Sequence, residues 1–330
     1  MAGALLGAVV VAALLAYLAT RWLDAPLSLR SLSVEVSIEP GTSPKEVARA
    51  WVDAGVSTSP RWLYEWFRWS GKARRIRAGS YEVEIGATPR RLLEKMVQGD
   101  EAMESVRFIE GWTLRQMRAA LAGAAQLKPT TVGLDDKQLM AVLGQPGVAA
   151  EGRFFPDTYV YSRGVSDLTV LKRAHRAMQQ RLAATWGERA ADTPLKSLDE
   201  ALILASIIEK ETGQAAERGL VAGVFVNRLR IGMPLQTDPT VIYGLGLAFD
   251  GNLRKRDLLA DTPFNTYTRG GLPPTPISLP GLASLRAAVR PQATRALYFV
   301  ARSDGSGRSV FSDNLVDHNR AVNQYQRAGR

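Results

Sequence analysis

The chain has 330 residues, 46% hydrophobic and 22% charged, which is enough for two domains that each bury a core. It has no cysteine, which excludes disulfides, thiolate nucleophiles and cysteine metal sites, and its two histidines, His175 and His318, are too few for a histidine zinc centre, so acid–base work falls to carboxylates. A net charge of +10 suits a polyanionic partner: nucleic acid, for which no motif appears, anionic lipid headgroups, or the carboxylates of a cell-wall polymer, and charge alone does not choose between them.

Residues 1–20 carry no charged side chain, and Ala4 to Leu18 is almost wholly apolar. About 20 such residues span a bilayer, and Tyr17 and Trp22 suit its interface. The absence of a basic stretch before the apolar run and the poor cleavage site at Tyr17-Leu18-Ala19 argue against a cleaved signal peptide. The expectation is an uncleaved single-pass anchor over 1–23. Its N-terminus is placed inside, because long following domains translocate largely regardless of flanking charge.

After a linker near 24–30, a strand–turn–helix pattern occurs three times. Val34 to Ile38 alternates as a strand, Pro40-Gly41 turns, and Ser43-Pro44-Lys45-Glu46 opens a helix with a capping box. Tyr81 to Ile85, Gly86 and Thr88-Pro89 repeat the unit, with a helix ending near Gly99; Val106 to Ile109, Gly111 and Thr113 to Gln116 repeat it again. These units predict a small α+β domain over 31–105, followed by a second α+β domain over 106–330. Between the first two units, Trp62, Trp66 and Trp69 share one helix face. That face is read as core or interdomain packing, with stacking on sugar rings as the alternative. Residues 131–148 read as a flexible stretch, and 168–185 as a basic amphipathic helix with His175 on its solvated face.

Ser197-Leu198-Asp199-Glu200 is a capping box, and the helix it opens runs to Thr212 before Gly213. Leu198, Leu202, Ala205 and Glu209 fall on one stripe of that helix, while Lys210 and Glu211 project elsewhere. A glutamate on an apolar stripe is expected to hold its proton more firmly, as a general acid at neutral pH must. The competing reading is a structural ion pair with an arginine, or a side chain turned to solvent. A second helix follows over 221–231. Downstream loops carrying Gln236, Asp238, Asn265 and Tyr267 supply hydrogen-bonding groups suited to a sugar, although the same composition makes ordinary turns.

Together, Glu151-Gly152-Arg153-Phe154-Phe155-Pro156-Asp157-Thr158-Tyr159, Ala205 to Thr212, Val224 to Leu229, Leu235 to Gly244, Asn265-Thr266-Tyr267 and Gly271 to Pro274 resemble the endolytic murein transglycosylases, the YceG-like or MltG family. In the N-terminal third the likeness is one of layout. The resemblance implies a membrane anchor, a small LysM-like domain over 31–105 and a catalytic domain over 106–330, with Glu209, the first glutamate of Glu-Lys-Glu-Thr, as the catalytic residue. It further implies cleavage of the MurNAc–GlcNAc bond within glycan strands, and action on nascent strands that ends their elongation.

Glycosidases ordinarily use two carboxylates. A lytic transglycosylase needs one, acting first as acid and then as base, and leaves a 1,6-anhydro end. Gln236, Asp238, Asn265 and Tyr267 are the expected substrate-binding residues, with no metal and no cofactor. The expected partners are peptidoglycan strands and the inner membrane, with peptidoglycan synthases as candidates and no nucleic acid. The catalytic domain would face the periplasm. Two rivals stand beside this reading: a non-catalytic wall-binding scaffold, and a two-carboxylate muramidase using Asp238 or Glu217.

Overall fold

The computed structural model describes residues 2–327 and has a mixed α+β architecture of many helices and four two-stranded sheets. In chain order the first elements are α1 (Ala2–Asp24), β1 (Ser28–Leu29), β2 (Ser33–Ile38), α2 (Pro44–Ala54), β3 (Val56–Ser57), α3 (Pro60–Trp69), β4 (Gly79–Glu84), α4 (Pro89–Gln98) and β5 (Met103–Arg107). Then come α5 (Leu114–Ala122), α6 (Asp136–Val142), β6 (Thr158–Ser162), α7 (Asp167–Gly187), α8 (Leu198–Glu211) and α9 (Arg218–Arg230). The chain ends with α10 (Asp238–Leu245), α11 (Lys255–Leu259), α12 (Leu282–Val289), β7 (Tyr298–Ala301), β8 (Ser309–Ser312) and α13 (Leu315–Val322). Two compact units result, one from residues 1–105, 125–128 and 160–165, the other from 106–124, 129–159 and 166–330.

In the smaller unit β2 pairs antiparallel with β4, Val36 opposite Tyr81 and Glu35 opposite Glu82. The expected capping box is present, with Ser43 and Glu46 each closing on the other's backbone N–H at the start of α2. Trp51, Leu63, Phe67, Tyr81, Leu92 and Met96 form the core. Directly opposed like charges destabilise a strand pair, and Arg163 answers this one: its guanidinium reaches Glu35 at 3.0 Å, Glu82 at 3.2 Å and Glu104 at 3.1 Å. The tryptophan face of α3 bears out its reading as packing only in part: Trp66 packs on the core and donates Nε1–H to the Pro89 carbonyl at 3.2 Å. Leu63 and Phe67 are the buried residues of that helix, whereas Trp62 and Trp69 are 61% and 78% exposed. The helix turns its aliphatic and phenyl groups inward because those pack without a polar atom to satisfy. Among the described residues no helix is long and apolar enough to cross a membrane. The span expected over 1–23 falls in part on Met1 and on the side chains of residues 2–5 and 8, which lie outside the described residues.

The larger unit is built around α8, whose residues 201–208 are buried on every side by α7, α9 and α12. Two expectations are corrected here. The stretch 131–148 contains α6, opened by a capping box between Asp135 and Gln138. His175 is buried on the inner face of α7 against Phe154, and burial, with the nearby Arg153 charge, pushes its pKa down.

Candidate active site

Helix α8 delivers Glu209 to its last turn. Beside the helix runs the extended segment 277–281. The Ile277 N–H donates to Ser206 Oγ at 3.0 Å, and Ser278 Oγ donates to the Ser206 carbonyl at 3.0 Å. The same segment pairs with the turn after β5: Leu279 N–H donates to the Trp112 carbonyl at 2.7 Å, and Gly111 N–H to the Leu279 carbonyl at 2.9 Å. Gly111 turns with φ of +78°, a conformation that favours glycine. The segment is thus held between helix and turn and ends at Gly281, whose N–H donates to Glu209 Oε2 at 2.9 Å.

The Glu209 side chain is 8% exposed, and Arg218, at the start of α9, approaches its other oxygen at 3.9 Å. Lys210 turns away and reaches the Gly111 carbonyl at 3.4 Å. A second carboxylate faces the same place. A Cβ at residue 281 would lie 1.8 Å from Glu110 Oε1, so the glycine leaves the room that Glu110 occupies. Partial burial, then the charge of Glu209, pushes the Glu110 pKa up, with Arg218 opposing. Glu110, Glu209 and Arg218 form one charged cluster around Gly281.

The polar loop residues gather elsewhere. Tyr267 Oη donates to Asp238 Oδ1 at 2.5 Å. Thr237 Oγ1 donates to Glu211, and the Thr237 N–H to Thr266 Oγ1 at 3.1 Å. Gln236 adopts φ of +48° and donates its N–H to the Thr266 carbonyl at 3.0 Å, with its side chain exposed. Asn265 is fully buried, its amide donating to the carbonyls of Asp257, Leu258 and Ala260 and its Oδ1 accepting from the Tyr267 N–H at 2.8 Å. It shapes the loop. The contacts of these residues lead to Glu211, which leaves α8 about 200° from Glu209 at 100° per residue. Burial pushes the Glu211 pKa up, the Thr237 hydroxyl pulls against this, and the charge of Asp238 adds to it. Glu217 spends both oxygens on the Ser309 N–H, at 3.1 and 3.0 Å.

Glu110 escaped the sequence reading because it stands at the end of a strand with no periodic pattern around it. Glu151 was visible only as part of a motif. It is buried against a cleft of about 1150 Å³ that Lys210, Thr113, Arg115, Arg118 and Tyr243 also line. The Leu114 N–H donates to one Glu151 oxygen at 2.9 Å, and Tyr243 Oη to the other at 3.1 Å. Burial nonetheless pushes the carboxyl up to about 7. A cleft of this size, with charged groups set among apolar ones and open beside Lys210, can accept an extended saccharide.

The chain is similar to known proteins in sequence and in fold. The YceG-like family matches residues 36–324. An endolytic murein transglycosylase of Bacillus subtilis is 31% identical over 310 residues, 89% of this chain and 85% of that protein. A protein of the same name from Streptococcus pneumoniae is 30% identical over 179 residues, 53% of this chain and 32% of that protein. A crystal structure of a YceG-like protein from Listeria monocytogenes superposes with a TM-score of 0.57 and 27% identity, covering 89% of this chain and 99% of that one.

Proposed function

The chain belongs to the YceG-like family, and from that premise we propose that Glu209 cleaves the MurNAc–GlcNAc bond inside peptidoglycan strands without consuming water. The enzyme is a lytic transglycosylase, as the shared name of its relatives supports. Glu209 first gives its proton to the glycosidic oxygen. The carboxylate left behind then removes the proton of the muramoyl 6-hydroxyl, whose oxygen closes onto C1, and a 1,6-anhydro end results. A group that is first acid and then base must be stable in both forms. The observation that carries this reading is the setting of Glu209: a nearly buried carboxyl at a helix end, with a backbone N–H on one oxygen and a guanidinium near the other. Both neighbours favour the charge that appears once the proton has left.

Glu110 favours a second reading. A carboxylate in the same cluster as Glu209 is the partner that a water-using muramidase would require. Product analysis separates the two. Mass spectrometry of sacculi digested by the enzyme is expected to show 1,6-anhydro-muramic ends; free reducing ends would transfer the assignment to hydrolysis with Glu110 as the second group.

The apolar run of residues 1–23 supports a single-pass inner-membrane anchor with the larger unit on the periplasmic side, where nascent strands emerge and cleavage would end their elongation. The small unit is read as LysM-like on the resemblance alone. Retention in membranes after a high-salt wash, with an N-terminus at Met1 or Ala2, is the expected outcome; release by salt overturns the anchor.

A further inference from the structure

Helix α12 packs against α9, and where they meet three guanidinium groups line one concavity of about 440 Å³: Arg218, Arg286 and Arg290, with Glu188 and Gln292 at its wall. Arg286 and Arg290 lie four residues apart, on one face of the helix end, where like charges repel. Both are exposed, and neither forms an ion pair among the described residues. Arg218 Nε is buried without a hydrogen-bond partner, while Nη2 of the same group stands 3.9 Å from Glu209. Arg286 and Arg290 meet only Glu188 among the acids of the lining, and Arg218 keeps a buried donor unmet beside Glu209, so an anion entering the concavity gains contacts that the protein does not itself supply. A guanidinium fork fits a carboxylate through two parallel hydrogen bonds.

We propose that this concavity binds a carboxylate of the stem peptide carried by the sugar at the scissile bond, so that the enzyme cuts peptide-bearing strands in preference to strands stripped of their stems. The inference rests on the lyase reading above. The glycan backbone offers hydroxyls and acetamides, which are neutral, and in an intact strand the lactyl carboxyl is tied up in the amide to the stem. The free carboxylates therefore belong to the peptide, which carries several, as three guanidiniums can use. Arg218 touches both the concavity and Glu209, which puts the stem of the reacting muramoyl residue within its reach.

The test uses the full chain and one preparation of glycan strands, half of it stripped of stems by an amidase, with the lactyl carboxyls so exposed then converted to neutral amides. The readout is the ratio of initial cutting rates on the two halves. The wild type is expected to favour peptide-bearing strands about tenfold or more, the scale of one charge-assisted contact. In Arg286→Gln/Arg290→Gln that ratio is expected to fall toward one. Arg286→Lys, which keeps the charge and loses the fork, is expected to fall between. A wild-type ratio of one, a preference for stripped strands, or a ratio unchanged in the double variant overturns the proposal. Binding of a free stem tetrapeptide, followed by NMR in Glu209→Gln with and without the arginine changes, decides the case independently of cutting. If the wild type cuts neither substrate, the lyase reading fails, while tetrapeptide binding that weakens about tenfold without the arginines still supports the pocket and undiminished binding overturns it.

Discussion

Glu209 and Glu211 leave the same helical turn and enter opposite neighbourhoods. Around Glu209 stand a guanidinium, a backbone N–H and a second carboxylate. Around Glu211 stand a threonine hydroxyl, the Asp238–Tyr267 pair and the charge of Arg228. Both carboxyls are withdrawn from water, so burial does not tell them apart. What distinguishes Glu209 is the set of groups around it: the Gly281 N–H on one oxygen, the Arg218 guanidinium near the other and a second carboxylate, Glu110, beside them. Glu211 already has its oxygen engaged by a hydroxyl of its own chain, and it acts as a fastening between α8 and the loop before α10.

The widest separation between the two sites comes from removing the proton itself. Glu209→Gln keeps the shape and can still accept from the Gly281 N–H, but it cannot protonate the leaving oxygen. Strand cutting is expected to fall by about 10²–10⁴-fold, with the thermal midpoint retained. Full activity in this variant would leave a wall-binding scaffold as the better account.

Glu151 sharpens the comparison, since it is buried and lacks a cation. Its pKa is raised from 4.5 to about 7, so the folded state holds a proton that the unfolded chain releases. That contribution to stability is fully present below about pH 4.5 and is lost as pH rises through about 7, a swing of about 3 kcal/mol. Glu151→Gln should flatten this dependence in denaturant titrations at pH 5 and 8. An unchanged pH profile would show that Glu151 is not the group responsible.

Gly281→Ala tests whether the Glu110–Glu209 arrangement matters. Its Cβ would fall 1.8 Å from Glu110 Oε1, the mobile end of a side chain, and the clash moves Glu110 with little effect on folding. A loss of about tenfold in cutting rate is expected, equivalent to about 1.4 kcal/mol of transition-state stabilisation. Trimming Glu110 as well, in Gly281→Ala/Glu110→Ala, should make the two losses non-additive; simple additivity would mean the two residues act separately.

The smallest effect is expected at Glu211→Gln. The amide can still accept from Thr237, and a group already biased toward neutrality loses little. Activity should stay within about threefold, under 1 kcal/mol. A loss matching that of Glu209→Gln would erase the contrast drawn here.

Much of this was legible before any coordinates. The boxes at Ser43 and Thr113, the cap at Ser197 and the β2 alternation all state local rules, and α2, α5, α8 and β2 obey them. Asp135 and Gln138 state the same rule, but the glycines at 133, 144 and 147 mask it, so the sequence around α6 reads as flexible. The apolar-stripe argument reached Glu209 by incomplete reasoning: residues 201–208 are buried on all sides, so no stripe exists to single it out. Trp62, Trp69 and His175 show the converse limit, since periodicity identifies a face without saying which way it turns. Glu110 and Gly281 were out of reach, because Gly281 meets Glu209 across 72 residues of chain and no local pattern encodes that meeting. Asn265 looked like a sugar ligand because a buried amide and an exposed one are spelled the same way.

The three acids that Arg163 gathers have a consequence for how this protein can be recombined. Glu35, Glu82 and Glu104 are all encoded before residue 105, whereas the cation that reconciles them is encoded later, at residue 163, in a segment that belongs to the small unit but follows stretches of the larger one. A gene fusion that borrows only the first 105 codons would inherit an unneutralised cluster and a sheet with opposed like charges. The small unit can be grafted onto another protein only with its later segments or with a replacement cation, so chimaeras of this family should tolerate junctions near residue 24 far better than junctions near residue 105.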